Sequence, residues 1–178
     1  MPPEFELLTP RLRLRPYRLD DLPAMFAVFG DAEVMRFSQS GADPTPEATA
    51  TRMRKLIDHQ DKFGFSLWTV EDRATGEILG DCGLKTLADG PEIEVGYRFG
   101  RAHWGKGYAT EGAALSVRYG FETLQLPRIV AVVEPTNTAS CKVIEKIGLG
   151  FVDQRHVYGR MLNYYAAERD EYLQTLRG

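Results

Sequence analysis

The chain's most suggestive stretch for chemistry is Gly100-Arg101-Ala102-His103-Trp104-Gly105-Lys106-Gly107-Tyr108-Ala109-Thr110. Gly105 and Gly107 let a backbone come close to a ligand, and Ala109 keeps the first turn of a following helix uncrowded. The unsatisfied N–H groups of such a turn, with the positive end of the helix dipole behind them, suit a pyrophosphate. Two glycines taken alone more often make only a tight turn. Upstream stands Glu94, a candidate general base, with Glu92 in reserve on the same strand face. A solvated carboxylate on an exposed face is the competing reading for both. Downstream stand Asn137 and Ser140, able to contact a ligand or simply to cap a helix.

The elements around these residues follow from period and punctuation. Arg11-Leu12-Arg13-Leu14-Arg15 alternates strictly and predicts a strand with one buried face. Asp20 or Asp21 then caps a helix whose Leu22, Met25, Phe26 and Phe29 share a side. Residues 37–45, rich in Ser, Gly and Pro, read as a loop, and a second helix runs from Pro46 to Lys62. Strands at 65–71 and 77–86 flank a hairpin turn at 72–76. Glu92 to Phe99 alternates again, putting Ile93, Val95, Tyr97 and Phe99 opposite Glu92, Glu94, Gly96 and Arg98. A helix at 106–123 and a strand at Ile129–Val133 come next, the strand apolar throughout and so covered on both faces. Asn137 caps a further helix ending near Gly148, and strands at 151–157 and 161–169 complete an α/β chain with a mixed sheet.

Length and composition bound the rest. The 178 residues, 43% hydrophobic and 26% charged, fit one globular domain spanning 1–178. A net charge of −3 shows no basic excess of the kind nucleic acid requires. Met1-Pro2-Pro3-Glu4-Phe5-Glu6 lacks the basic start and apolar run of a signal peptide, and no stretch approaches a membrane span, so a cytoplasmic protein is expected. Cys82 and Cys141 have no metal-type spacing, and Cys141 reads as core. His59, His103 and His156 show no ligand spacing, so no metal is expected.

Three phosphate-binding patterns compete for the glycine-rich turn. Gly100 to Lys106 matches a nucleotide-binding P-loop until Gly107 stands where a magnesium-holding hydroxyl is needed. The dinucleotide fingerprint fails because Thr110 replaces its third glycine and no acid lies near Val130. Trp104-Gly105-Lys106-Gly107-Tyr108-Ala109-Thr110-Glu111, by contrast, resembles the coenzyme A pyrophosphate loop of the GNAT acetyltransferases. It is most similar to their ribosomal-protein N-terminal acetyltransferase (RimJ/RimL-like) branch. Of the family pattern [RQ]-x-x-G-x-[GA], Gly107 and Ala109 fill the last two required positions. Trp104 takes the first, which removes a side chain that elsewhere helps to fix the loop. Asn137 to Gly148 resembles the family's N-x-x-[SA] helix and the E-K-x-G that ends it, and Leu8 to Pro16 with Asp20-Asp21 also resembles the branch.

The resemblance implies a splayed, mostly antiparallel sheet with acetyl-CoA wedged where strands 92–99 and 129–133 part. It puts the cofactor against Tyr97, Phe99, Trp104, Gly105, Lys106, Gly107, Tyr108, Ala109, Thr110, Asn137 and Ser140. Backbone N–H groups near Val95 to Phe99 would hold the acetyl carbonyl. Glu94 would act as base through water. Ile144 stands where many relatives carry an acidic Tyr, which leaves Ser140 to protonate the thiolate. Tyr158, Tyr164 and Tyr165 would line an acceptor cleft, although packing explains them equally well.

The acceptor is then an amine, small or a protein N-terminus. Neutralising an α-amine of pKa about 8 at pH 7 costs about 1.4 kcal/mol, against about 4.6 kcal/mol for a lysine. A low-pKa amine needs less from a base. A non-catalytic acyl-CoA sensor and a P-loop hydrolase are the alternatives, and either a monomer or a homodimer fits.

Overall fold

Alternating leucines and arginines form strand β2 (Leu12–Arg15), beside the short β1 (Leu7–Leu8), and bury Leu12 and Leu14 completely. The computed structural model of the protein describes residues 4–88 and 90–178. Met1 to Pro3, where the signal-peptide expectation begins, lie outside the described residues, as does Asp89. Two helices follow, α1 (Leu22–Phe29) and α2 (Pro46–Phe63), the second capped by the Thr45 side chain and stopped by a left-handed Gly64. Met25, Phe29, Met35 and Met53 pack between these two helices.

The remaining elements are β3 (Leu67–Asp72), β4 (Ile78–Thr86), β5 (Ile93–Phe99), α3 (Tyr108–Glu122), β6 (Arg128–Val133), α4 (Thr138–Lys146), β7 (Gly150–Val157), β8 (Arg160–Glu168) and α5 (Arg169–Thr175). The sequence did not predict α5. Its first turn carries Asp170 and Glu171, and Tyr172 tilts its ring against Phe121 at 4.9 Å. The eight strands form one sheet in the order β1-β2-β3-β4-β5-β6-β8-β7. Every neighbouring pair is antiparallel except β5 and β6, which the α3 crossover makes parallel. Those two strands share a single registered pair, Glu94 with Val130, and then diverge. The expected mixed, mostly antiparallel splayed α/β sheet is therefore observed. The main core holds Trp68, Leu84, Val95, Phe121 and Ile129.

Arg15 departs from simple alternation, because a second buried layer meets β2 from the far side. Its guanidinium donates to both Asp21 oxygens at 2.9 and 2.8 Å and to Glu71 at 2.6 Å, with only 4% of the residue exposed. Asp21 does stand at the N-cap of α1, yet makes no capping bond there. Its carboxylate is taken instead by Arg15, the Arg18 N–H and the Thr69 hydroxyl. Burial alone would raise the Asp21 carboxyl, but these donors override it and hold it below the usual carboxylate range. A depressed folded-state value stabilises the fold above the unfolded value of about 3.9 and loses that contribution as pH falls. Denaturant titrations across acid pH should show stability flat above about pH 4 and declining below it. Asp21→Asn should be less stable at neutral pH and show a shallower acid decline.

Candidate active site in the cleft between β5 and β6

Where β5 and β6 part, a cleft of about 500 Å³ opens. Its walls come from β5 (Glu94 to Arg98), the end of β6 (Ala131 to Glu134), Asn137, Ser140 and Ile144 around α4, and the β7–β8 turn (Tyr158 and Arg160). Of the residues singled out in the sequence, Glu94, Tyr97, Asn137, Ser140 and Tyr158 meet here. Beyond the Glu94–Val130 pair, the β5 backbone has no registered partner on β6, so Val95 to Phe99 have an edge open to a ligand carbonyl.

Glu94 is not the solvated carboxylate that alternation suggests. Only 5% of it is exposed, because the divergence of β6 lets the β7–β8 turn fold over that face. The Tyr158 hydroxyl donates to Glu94 Oε1 at 2.6 Å, and Lys85 Nζ lies 3.0 Å from the same oxygen. Burial alone would lower the Lys85 ammonium, but Glu94 and Tyr158 override it and hold it above the ordinary lysine value. Lys85 therefore stays cationic. Glu92, the reserve base, does not line the cleft. It accepts from the Tyr164 hydroxyl and faces Arg128, at the start of β5 rather than along it.

Tyr158 reaches Glu94 from an unusual backbone. It and Gly159 both have positive φ, 52° and 73°, the signature of a two-residue hairpin turn that favours Asn or Gly at its first position. The Ala88 N–H donates to the Tyr158 hydroxyl at 3.0 Å, and Ala88 also sits at positive φ, 48°. Such strained residues collect at functional sites. Tyr164 and Tyr165, in contrast, are core residues, 1% and 2% exposed. Tyr158→Phe should cost about tenfold in any activity that draws on the Glu94 carboxylate, the weight of a hydrogen bond to a carboxylate, and leave ligand binding at the start of α3 unchanged.

Ser140 sits at the first turn of α4, where its N–H donates to the Asn137 side chain at 3.2 Å. Its hydroxyl lies 2.8 Å from that of Tyr97. Burial pushes the Tyr97 hydroxyl up, so it is neutral and available as a donor. Cys141, expected in the core, is only half-buried, with its Sγ 3.9 Å from Asn163 Nδ2.

The glycine-rich turn lies at the other end of β5. Phe99 and Trp104 to Thr110 do not line the cleft but lead from it into α3. Gly105 and Gly107 have φ of 73° and 81°, and Gly107 is the N-cap of α3. The first intrahelical bond runs from Glu111 N–H to Gly107 C=O, so the N–H groups of Tyr108, Ala109 and Thr110 precede any such bond. Trp104 ties the turn down in another way than the missing Arg or Gln would. Its indole N–H donates to the Phe99 carbonyl at 2.7 Å while half of the residue stays exposed. Phe99 is buried and stacks on Tyr108, serving the turn as a support.

A second support was missed in the sequence because it is distant. Arg11 donates to the Lys106 carbonyl at 2.8 Å, pairs with Glu111 and lies 4.5 Å over the Tyr108 ring. Thr9 donates to the same Glu111 at 2.5 Å. Only the resemblance around Leu8 to Pro16 hinted that this stretch mattered. The loop at 37–45 forms a wall of the cleft through Phe37 to Ser40, and Arg160 holds it by donating to the Phe37 carbonyl at 2.7 Å. Among the described residues no cluster of three or more His, Cys, Asp or Glu offers a metal site, and no helix is long and apolar enough to cross a membrane.

Parted parallel strands, with open β5 backbone beside them and an uncapped helix start at the end of β5, are the features of an acyl-CoA-dependent transferase. The sequence model described as the acetyltransferase (GNAT) domain matches residues 11–150. The uncharacterized N-acetyltransferase p20 of Bacillus licheniformis is 31% identical over 168 residues, covering 89% of this chain and 92% of that protein. A GNAT-family acetyltransferase from Bacillus anthracis superposes with a TM-score of 0.81 at 25% identity, over 93% of this chain and 99% of its own. RimJ of Mycobacterium smegmatis, solved in complex with CoA-disulfide, shares the fold at a TM-score of 0.76 and 23% identity, covering 90% of this chain and 83% of its own. The chain belongs to the GNAT family of N-acetyltransferases and is an acetyl-CoA-dependent acyltransferase. That assignment sets aside the P-loop hydrolase. Gly107 stands in a left-handed conformation that a magnesium-binding Ser or Thr would adopt only with strain.

Proposed function

We propose that the protein moves the acetyl group of acetyl-CoA directly onto a primary amine, with an α-amine such as a protein N-terminus as the acceptor. The observation that carries this reading is the placement of two proton-handling groups on opposite walls of one cleft. Glu94 stands on β5 beside Lys85 and Tyr158, and Ser140 stands on α4 beside Tyr97.

Acetyl-CoA supplies an activated thioester. Glu94 Oε1 is occupied by Tyr158 and Lys85, which leaves Oε2 to accept, through a water, the proton shed by the acceptor ammonium. Open N–H groups of β5 stabilise the charge that gathers on the carbonyl oxygen. With Tyr97 donating to Ser140 Oγ, the serine hydrogen is free to turn toward the departing sulfur and protonate it as Oγ takes up the proton that the attacking nitrogen sheds on becoming an amide. Gly105, Gly107 and the N–H groups of Tyr108 to Thr110 hold the pyrophosphate, with Lys106 adding positive charge. A base already paired with an ammonium suits an acceptor that needs little help, which favours an α-amine over a lysine.

The test is release of free CoA thiol with three acceptor sets: peptides with free N-termini, the same peptides blocked but containing lysine, and small aliphatic amines. Fastest turnover with free N-termini is expected. Turnover confined to blocked lysine peptides or to small amines would overturn the acceptor assignment.

A further inference from the structure

Strand β7 is the last strand of the sheet, and one of its edges has no partner among the described residues. Six of its eight residues are exposed, on both faces, including Phe151 at 55% and Val152 at 47%. A long exposed edge that carries apolar side chains is a template for pairing with another chain. We propose that this edge binds the β7 of a second copy of the chain, antiparallel, with the two-fold axis at Gln154.

The register follows from parity and charge. The β7–β8 hairpin closes with a two-residue turn at Tyr158 and Gly159, so the flanking Val157–Arg160 pair exchanges hydrogen bonds. Val157, Arg155 and Asp153 therefore direct their backbone groups to β8, while His156 and Gln154 direct theirs to the free edge. A second β7 can bond to that edge only if outward residues meet outward residues, which places the axis on a residue and never between two. Centring on Asp153 or on Arg155 sets like charges opposite each other. Centring on Gln154 sets Asp153 against Arg155 of the second copy, twice, in the closely spaced non-hydrogen-bonded positions. Asp153 and Arg155 already pair within the strand at 2.8 Å, so the axis would join four alternating charges on one face. An edge guarded only by lysines would repel its copy, whereas this one is self-complementary. The bulge between Phe151 and Asp153 breaks the register there and confines regular pairing about the axis to Asp153, Gln154 and Arg155.

Sedimentation of the full chain over a concentration series tests this together with a charge swap. Asp153→Arg should raise the dimer dissociation constant about tenfold, because it sets arginine against arginine twice. Asp153→Arg combined with Arg155→Asp should restore it. In a Cys141→Ser background, Gln154→Cys should form an intermolecular disulfide on mild oxidation, since hydrogen-bonded pairs lie about 5.5 Å apart between Cα atoms. A monomer at all concentrations, a dimer indifferent to the charge swap, or cross-linking at 156 in preference to 154 would each overturn the proposal. None of these variants touches the cleft, so acetyl transfer is read separately and its absence would bear only on the proposed function.

Discussion

Gly107→Glu is expected to weaken acetyl-CoA binding about a hundredfold while leaving the protein folded. At φ 81° an L-residue pays backbone strain of about 1–2 kcal/mol, which shifts stability without unfolding a domain of this size. The new Cβ would lie 3.4 Å from Arg11 Nη2, so the added carboxylate would compete with Glu111 for Arg11. It would also stand over the N–H groups of Tyr108, Ala109 and Thr110, where an anionic ligand is to sit. Two unit charges about 5 Å apart at an effective dielectric of about 20 repel by about 3 kcal/mol, or about two decades in affinity. Gly107→Ala carries the strain without the charge and should cost far less. Calorimetric titration with acetyl-CoA, beside thermal melts of both variants, separates the two effects. Undiminished binding in the glutamate variant would mean that the start of α3 does not hold the pyrophosphate.

What could be read from sequence divides along a physical line. Elements set by their own residues were legible: α2 from its periodic Met53, Leu56 and Ile57, the 72–76 turn, and α4 from the Asn137 cap that the structure shows accepting from Ser140 N–H. The parting of β5 from β6 came from resemblance, since nothing in either strand's alternation encodes how far its neighbour stays paired. Contacts across long sequence separations were illegible. The Glu94–Tyr158 bond joins residues 64 apart, and the Arg11–Glu111 pair joins residues 100 apart. Alternation placed Glu94 on a polar face, which is correct, but could not reveal that Lys85 and a strained hairpin turn close over it. Trp104 makes the same point. Its side chain replaces the family's usual Arg or Gln, yet its indole N–H still ties the turn down through Phe99, a role that chemistry permits and spacing does not announce.

Glu94→Gln separates a proton-accepting role from a packing one. Glutamine keeps the shape and can still accept from Tyr158, so the loss is that of a charge. Two consequences follow for an α-amine acceptor. The bound ammonium no longer has a carboxylate to take its proton, and Lys85 no longer has the anion that holds its own value up. At pH 7 kcat should fall about a hundredfold, within the usual weight of general-base help. The acidic limb of the kcat profile should move up to the acceptor's own pKa of about 8, because only amine that is already neutral then reacts. Raising the pH past that value should recover most of the lost rate. A packing role predicts otherwise, since a distorted cleft stays distorted and the loss would be the same at every pH. Lys85→Met sharpens the distinction. It removes the cation but leaves the carboxylate, so a proton-accepting Glu94 should keep most of its rate at pH 7. If both variants lose equal activity at all pH values, Glu94 and Lys85 act as one structural ion pair, and the proton must leave the amine by another route.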